Sequence, residues 1–151
     1  MARTPSADTL VSAGEVALLV VSAYGAVSKL ADPRPALEVA EAVTRDPWTA
    51  ALVVGVALSL ESGLAAALAL RVVRGRRALL AGFGMLAAFT LWLALVHVRL
   101  GPHANCGCFG AAALGRSVTA AMIANGVLLA ALTVPIVATW SLQDRTALAQ
   151  A

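Results

Sequence analysis

The chain has 151 residues, of which 60% are hydrophobic and only 13% charged. A soluble domain of this size runs near half apolar and about a quarter charged, and here the excess lies in long unbroken runs, so a soluble bundle with charged outer faces is excluded. The formal net charge of +3 does not indicate nucleic acid, because no basic stripe carries interleaved aromatics; membrane topology accounts for it.

Four runs reach the roughly 20 residues that cross a bilayer core. The first covers about 11–30. Its start is weakly basic (Arg3 alone) and Glu15 falls early in it, so it reads as an uncleaved first helix rather than a signal peptide. Residues 35–44 follow, with Ala36, Leu37, Val39, Ala40 and Val43 set among Glu38 and Glu41. This pattern predicts a short interfacial helix, either a plain connector or a lid over the outer end of the bundle. The second run covers about 48–70, the third 78–100 and the fourth 118–140. Backbone groups in lipid must satisfy one another, so the runs are helices. The expected architecture is an all-α integral membrane four-helix bundle, one domain over residues 1–151.

Orientation follows from the loops. Arg71, Arg74, Arg76 and Arg77 crowd the connection between the second and third spans, with no acidic residue among them. Basic residues concentrate on cytoplasmic loops, so this loop and both termini are expected in the cytoplasm of a bacterial cell. The loop after the third span then faces the extracytoplasmic side, where disulfides persist.

That loop holds both cysteines of the chain, as Cys106-Gly107-Cys108-Phe109-Gly110. Bridging them requires Cα atoms within about 4.4–6.8 Å, and Gly107 allows the tight turn. So small a ring stabilises little as a staple, and strained disulfides are the labile ones. A redox-active dithiol is the favoured reading, with Cys106 and Cys108 as the reacting residues. Arg99, His103 and Arg116 are near in sequence and would favour thiolate, although arginines at helix ends are also ordinary interfacial anchors. Ser117 is placed to cap the fourth span, whose N-terminus would then point at the dithiol. The competing chemistry is metal handling: His103, Cys106 and Cys108 offer three ligands suited to copper or zinc.

Polar residues within the spans are expensive and therefore candidates for function. Counted at about 1.5 Å per residue from the outer ends, Glu61 and Thr90 lie about 15 Å deep, Ser22 about 12 Å and Asn125 about 10 Å. These four are expected to form one polar patch, with Glu61 as proton relay, hydrogen-bond partner of a quinone or helix tie. The same count leaves Lys29, His97 and Arg99 near the outer surface and Glu61 apart from the dithiol. Glu15 reads as a structural acid at a helix N-terminus.

The Cys-Gly-Cys-Phe-Gly element after a third span resembles the signature of the MauE/DoxX-like membrane proteins, especially the methylamine-utilisation MauE branch. Tyr24-Gly25-Ala26-Val27-Ser28-Lys29-Leu30-Ala31-Asp32-Pro33 is similar to that family's end of helix one. Glu61 resembles the acid of its second helix and Asn125 the polar residue of its fourth, although Ala124 stands where the family often has a basic residue. The resemblance implies a four-helix membrane protein tied to extracytoplasmic thiol redox, working beside a thioredoxin-like or disulfide-containing protein. For MauE it implies maturation of a disulfide-rich periplasmic dehydrogenase, and for DoxX relatives quinone-coupled sulfur oxidation. The architecture is also similar to disulfide-generating enzymes of the vitamin K epoxide reductase and DsbB type, which carry two cysteine pairs where this chain has one.

The expected activity is therefore thiol–disulfide exchange between an extracytoplasmic protein and a membrane acceptor such as a quinone, with Cys106 and Cys108 reacting and Glu61, Arg99, His103, Arg116 and Asn125 supporting. A metal-handling protein and a non-catalytic assembly factor for a periplasmic enzyme are the other two readings.

Overall fold

The computed structural model describes residues 7–106 and 117–148, with side chains over 9–106 and 117–137. The described residues form five helices: α1 (Ala7–Ala31), α2 (Arg34–Thr44), α3 (Pro47–Ala69), α4 (Arg76–Leu100) and α5 (Val118–Leu148). Four of them are long and apolar enough to span a bilayer, at Thr9–Ala31, Pro47–Ala69, Arg76–Leu100 and Val118–Val137. These match the expected spans to within a few residues.

Each boundary has a local cause. Pro33 and Pro35 cannot continue α1 as a helix but suit the first turn of α2, and the Asp32 carboxylate accepts the Arg34 N–H at 3.2 Å. α2 ends at Arg45, which takes the left-handed conformation at φ 60°. Asp46 then caps α3, accepting the Thr49 N–H at 2.7 Å and its hydroxyl at 2.5 Å, with Pro47 at the first helical position. Those two bonds hold the Asp46 carboxyl below the usual carboxylate range. The Glu15 carboxylate accepts the backbone N–H of Gly75, the residue that opens α4. Glu15 is thus a structural tie, though to the next hairpin rather than to its own helix end.

The long helices close a ring in which α1 packs on α3 and α5, and α4 packs on α3 and α5; α1 and α4 also meet across the middle. That crossing is close because Gly82 has no side chain: a Cβ there would lie 2.4 Å from the Leu18 side chain. Small residues of this kind let membrane helices approach. Leu18, Leu68, Ala78, Leu79, Leu86 and Leu132 form the buried cluster of this half of the bundle.

The outer surface is apolar as well. Val20, Val27, Leu52, Val56, Leu91, Val98, Ile123 and Val127 are all exposed. Such a surface suits a hydrocarbon solvent and would be a liability in water.

α2 closes the other end. Its buried face, Ala36, Val39, Ala40 and Val43, packs on α3 and α4. Val39 and Val43 join Leu93, Val96, Cys106, Val118 and Ala121 in a second buried cluster. The expected short helix between the first two spans is present, and it is a roof over Cys106 rather than a free connector.

Candidate functional site

The segment before Cys106 is pinned to the start of α5. Val118 N–H donates to the Ala104 carbonyl at 3.0 Å. The Thr119 hydroxyl donates to the Pro102 carbonyl at 3.0 Å, and Asn105 and Ser117 pair as an isolated antiparallel bridge. The Ser117 hydroxyl accepts the Ala120 N–H at 3.3 Å, so Ser117 caps α5 as its sequence suggested. These bonds hold Cys106 against the first turn of α5, beside Val118 and Ala121, with only 5% of its surface exposed. Gly107, Cys108 and Arg116 lie outside the described residues.

Below Cys106 runs a cavity of about 60 Å³, and Cys106 is one of its wall residues. Its polar lining is Ser22 and Lys29 from α1, Glu61 from α3 and Asn125 from α5. The apolar lining includes Ala36 and Ala40 of α2 and Phe89 and Trp92 of α4. All four polar residues are at least nine-tenths buried.

Lys29 and Glu61 form the centre of this site. The Lys29 ammonium donates to Oε1 of Glu61 at 2.7 Å and to Oε2 at 2.9 Å, and approaches the Gly25 carbonyl at 3.5 Å. It also lies 5.8 Å from the centre of the Phe89 ring, within cation–π range. Gly25 makes room for the carboxylate, since a Cβ at that position would stand 2.7 Å from Oε1. A charge in the bilayer interior is costly unless paired, and this geometry pairs both.

The pair corrects the depth count, which set Lys29 apart near the outer surface. Side chains in a helix tilt toward its N-terminus. α1 begins at the end of the bundle away from α2, so Lys29 leans down into the bundle, back over Gly25. α3 runs the opposite way, so Glu61 leans up toward it. Counting Cα heights alone ignores both tilts and the long lysine stem. Lys29 is the residue that sequence reasoning missed; the signal was a lysine in the last turn of a span, with a glycine four residues before it.

The expected polar patch is otherwise assembled in part. Ser22, Glu61 and Asn125 share the cavity. Thr90 does not: it is half-buried, and its hydroxyl bonds the Leu86 carbonyl of its own helix at 2.8 Å. Glu61 and the cysteine, expected apart, line one cavity. The Ser22 hydroxyl is buried and has no hydrogen-bond partner among the described residues. Arg99 and His103 are exposed and do not line the cavity. His97 is half-buried, with its Nδ1 buried and unbonded among the described residues. No group of three metal-ligating side chains occurs among the described residues, and His103 and Cys106 stand in different surroundings, one exposed and one buried.

The family profile of methylamine utilisation protein MauE matches residues 7–140. The chain belongs to the MauE family. The match spans all four long apolar helices and reaches across the cavity residues and both cysteines. With those helices it makes this MauE-family chain a multi-pass membrane protein. No curated protein and no solved structure matches the chain.

The quinone that the family resemblance suggests can be tested against the cavity. An engineered apolar cavity that binds benzene measures about 150 Å³, whereas this one measures about 60 Å³. The enclosed space is therefore smaller than one known to take an aromatic ring.

Proposed function

We propose that this chain is a thiol–disulfide exchange protein of the bacterial cytoplasmic membrane, a single four-helix domain whose Cys106–Cys108 couple faces the extracytoplasmic side. One observation carries this function: Cys106 is buried on the wall of a largely apolar cavity that also holds Ser22, Lys29, Glu61 and Asn125, and it is roofed by α2 and set against the first turn of α5. A structural cysteine needs no such cavity, and a helix N-terminus favours thiolate. The arginine-rich loop at the opposite end supports cytoplasmic termini.

Burial sets the division of labour. Cys106, under α2, cannot meet a protein partner without movement of that helix, so Cys108 exchanges with the partner and Cys106 resolves. In the oxidising direction for the partner's thiols, one partner thiolate attacks Cys108 of the Cys106–Cys108 disulfide. The bond breaks, Cys106 leaves as thiolate, and a mixed disulfide forms. The partner's second thiolate then displaces Cys108. Two electrons enter the couple, and the partner gains a disulfide. Every step reverses when the partner arrives oxidised. The partner is a thioredoxin-like or disulfide-rich extracytoplasmic protein, in keeping with a family named for methylamine utilisation.

Cysteine-to-serine variants test this directly. Removing Cys106 removes the resolving thiol, so Cys106→Ser should accumulate a mixed disulfide through Cys108, seen as a dithiothreitol-sensitive adduct on non-reducing gels. If neither serine variant forms an adduct and both still support the partner's maturation, the chain is an assembly factor and the exchange function fails.

A further inference from the structure

The exchange mechanism leaves four buried polar groups without work. Lys29 and Glu61 satisfy each other, yet they stand on a cavity wall rather than in a packed core. The Ser22 hydroxyl, 1% exposed, lines the same cavity with no hydrogen-bond partner among the described residues. A buried hydroxyl without a partner is costly and is commonly met by ordered water. Asn125, buried on α5, faces the cavity from another wall. A buried water needs about 10–15 Å³ and two to four polar partners. The 60 Å³ here admits about four waters by that measure, and Ser22, Asn125, Glu61 and Lys29 supply the partners. Cys106 lines the same space.

We propose that Lys29 and Glu61 are the proton-exchange site of Cys106, joined to its sulfur by water held between Ser22 and Asn125. This role depends on the exchange function proposed above. When the dithiol is oxidised, Cys108 loses its proton to solvent and attacks a disulfide of the partner, releasing one partner thiolate. The Cys106 S–H then passes its proton through water to the Glu61 carboxylate. Lys29 remains an ammonium beside the neutral carboxyl. The Cys106 thiolate attacks Cys108, the Cys106–Cys108 bond forms, and the second partner thiolate leaves. Both partner thiolates take protons from solvent, and Glu61 returns its proton to the water. Two electrons move from the couple to the partner's disulfide. In the reverse direction Glu61 delivers the proton that Cys106 takes up on leaving.

No other ionisable group among the described residues lines this cavity. From α2, Glu38 and Glu41 are exposed; from α4, Arg99 is exposed and His97 is not a wall residue. The described part of α5 contributes only the neutral Asn125 to it. Glu61 is therefore the proton carrier, and Lys29 and Ser22 are positioning residues.

The test is single-turnover oxidation of the reduced full-length chain in lipid nanodiscs, with oxidised glutathione as the probe disulfide. Wild type should show a pH-dependent rate and a solvent deuterium effect. Glu61→Gln should lower the rate by about 100-fold, at the low end of general acid–base contributions, and remove the deuterium effect of the Cys106 step, leaving only the pH dependence set by Cys108 deprotonation. Ser22→Ala should shrink the deuterium effect with a smaller rate loss. The double variant Lys29→Gln/Glu61→Gln leaves no unpaired charge and carries the test if Glu61→Gln fails to fold; it should be equally slow. Folded variants with wild-type rate, pH profile and deuterium effect would make the pair a helix tie and overturn the proposal alone. A wild-type chain that does not react with glutathione at all would overturn the exchange function beneath it.

Discussion

The two halves of the bundle use glycine in the same way to opposite ends. Near the middle, Gly82 of α4 opens a space that the Leu18 side chain fills, and the surrounding cluster is wholly apolar. Toward α2, Gly25 of α1 opens a space that the Glu61 carboxylate fills, beside a cavity. Close approach in the first half yields dispersion contacts, which are what hold helices together where lipid is as apolar as leucine. In the second half it yields a buried ion pair on the wall of a cavity that a buried cysteine also lines. A small residue in a span thus announces proximity, and the side chain that enters its space decides whether the result is packing or chemistry.

The chemical half is most vulnerable at the cysteines. Cys108→Ser should abolish turnover with a protein disulfide, measured as the rate of thiol appearance in the partner, while leaving stability unchanged. The next effect in size is at the ion pair. Lys29→Met leaves the Glu61 carboxylate buried without its counter-charge and should cost about 3–5 kcal/mol of unfolding stability, read by denaturant titration in detergent micelles. Lys29→Met/Glu61→Leu, which strands nothing, should recover most of that loss.

Gly82→Val separates the packing half from the chemical one. It forces Leu18 aside and should cost about 1–3 kcal/mol by overpacking, with no change in the thiol chemistry of Cys106 and Cys108. Gly25→Ala should do the reverse, displacing the Glu61 carboxylate and slowing exchange more than it lowers stability. The smallest effect is expected at Asp46. Its carboxyl is held below its usual range by the Thr49 hydroxyl and N–H, so the cap stabilises above the unfolded carboxylate pKa near 3.9. That contribution fades as pH falls through the lower folded value. Asp46→Ala should therefore be slightly less stable than wild type at neutral pH and equal to it in strong acid, by thermal unfolding in detergent.

Much of this was legible in the residues. Long apolar runs define spans because lipid leaves the backbone no other partner, and Pro33, Pro35, Asp46 and Ser117 mark helix starts by chemistry that is local. Ser22, Glu61 and Asn125 were legible as a patch because polar groups in spans seek one another. Lys29 was not, because its position depends on the tilt of side chains on two helices running in opposite directions. Thr90 was misplaced for a different reason: its hydroxyl satisfies itself on its own helix's carbonyl four residues back, a common resort of threonine in helices, so depth alone does not send it to a shared site. The roofing of Cys106 by α2 needed the tertiary contact of Val39 and Val43 with Cys106, Val118 and Ala121, which no periodicity within α2 reveals.

The measurement that bears hardest on the exchange function is the thiol state of Cys106 and Cys108 in isolated membranes, followed by alkylation shift across a glutathione or dithiothreitol series. An exchange couple should show a reversible two-electron transition at a potential within the range of exchange proteins, lost in either serine variant. Thiols that stay reduced throughout, and become alkylated only after a chelator is added, would contradict it and assign the pair to a metal.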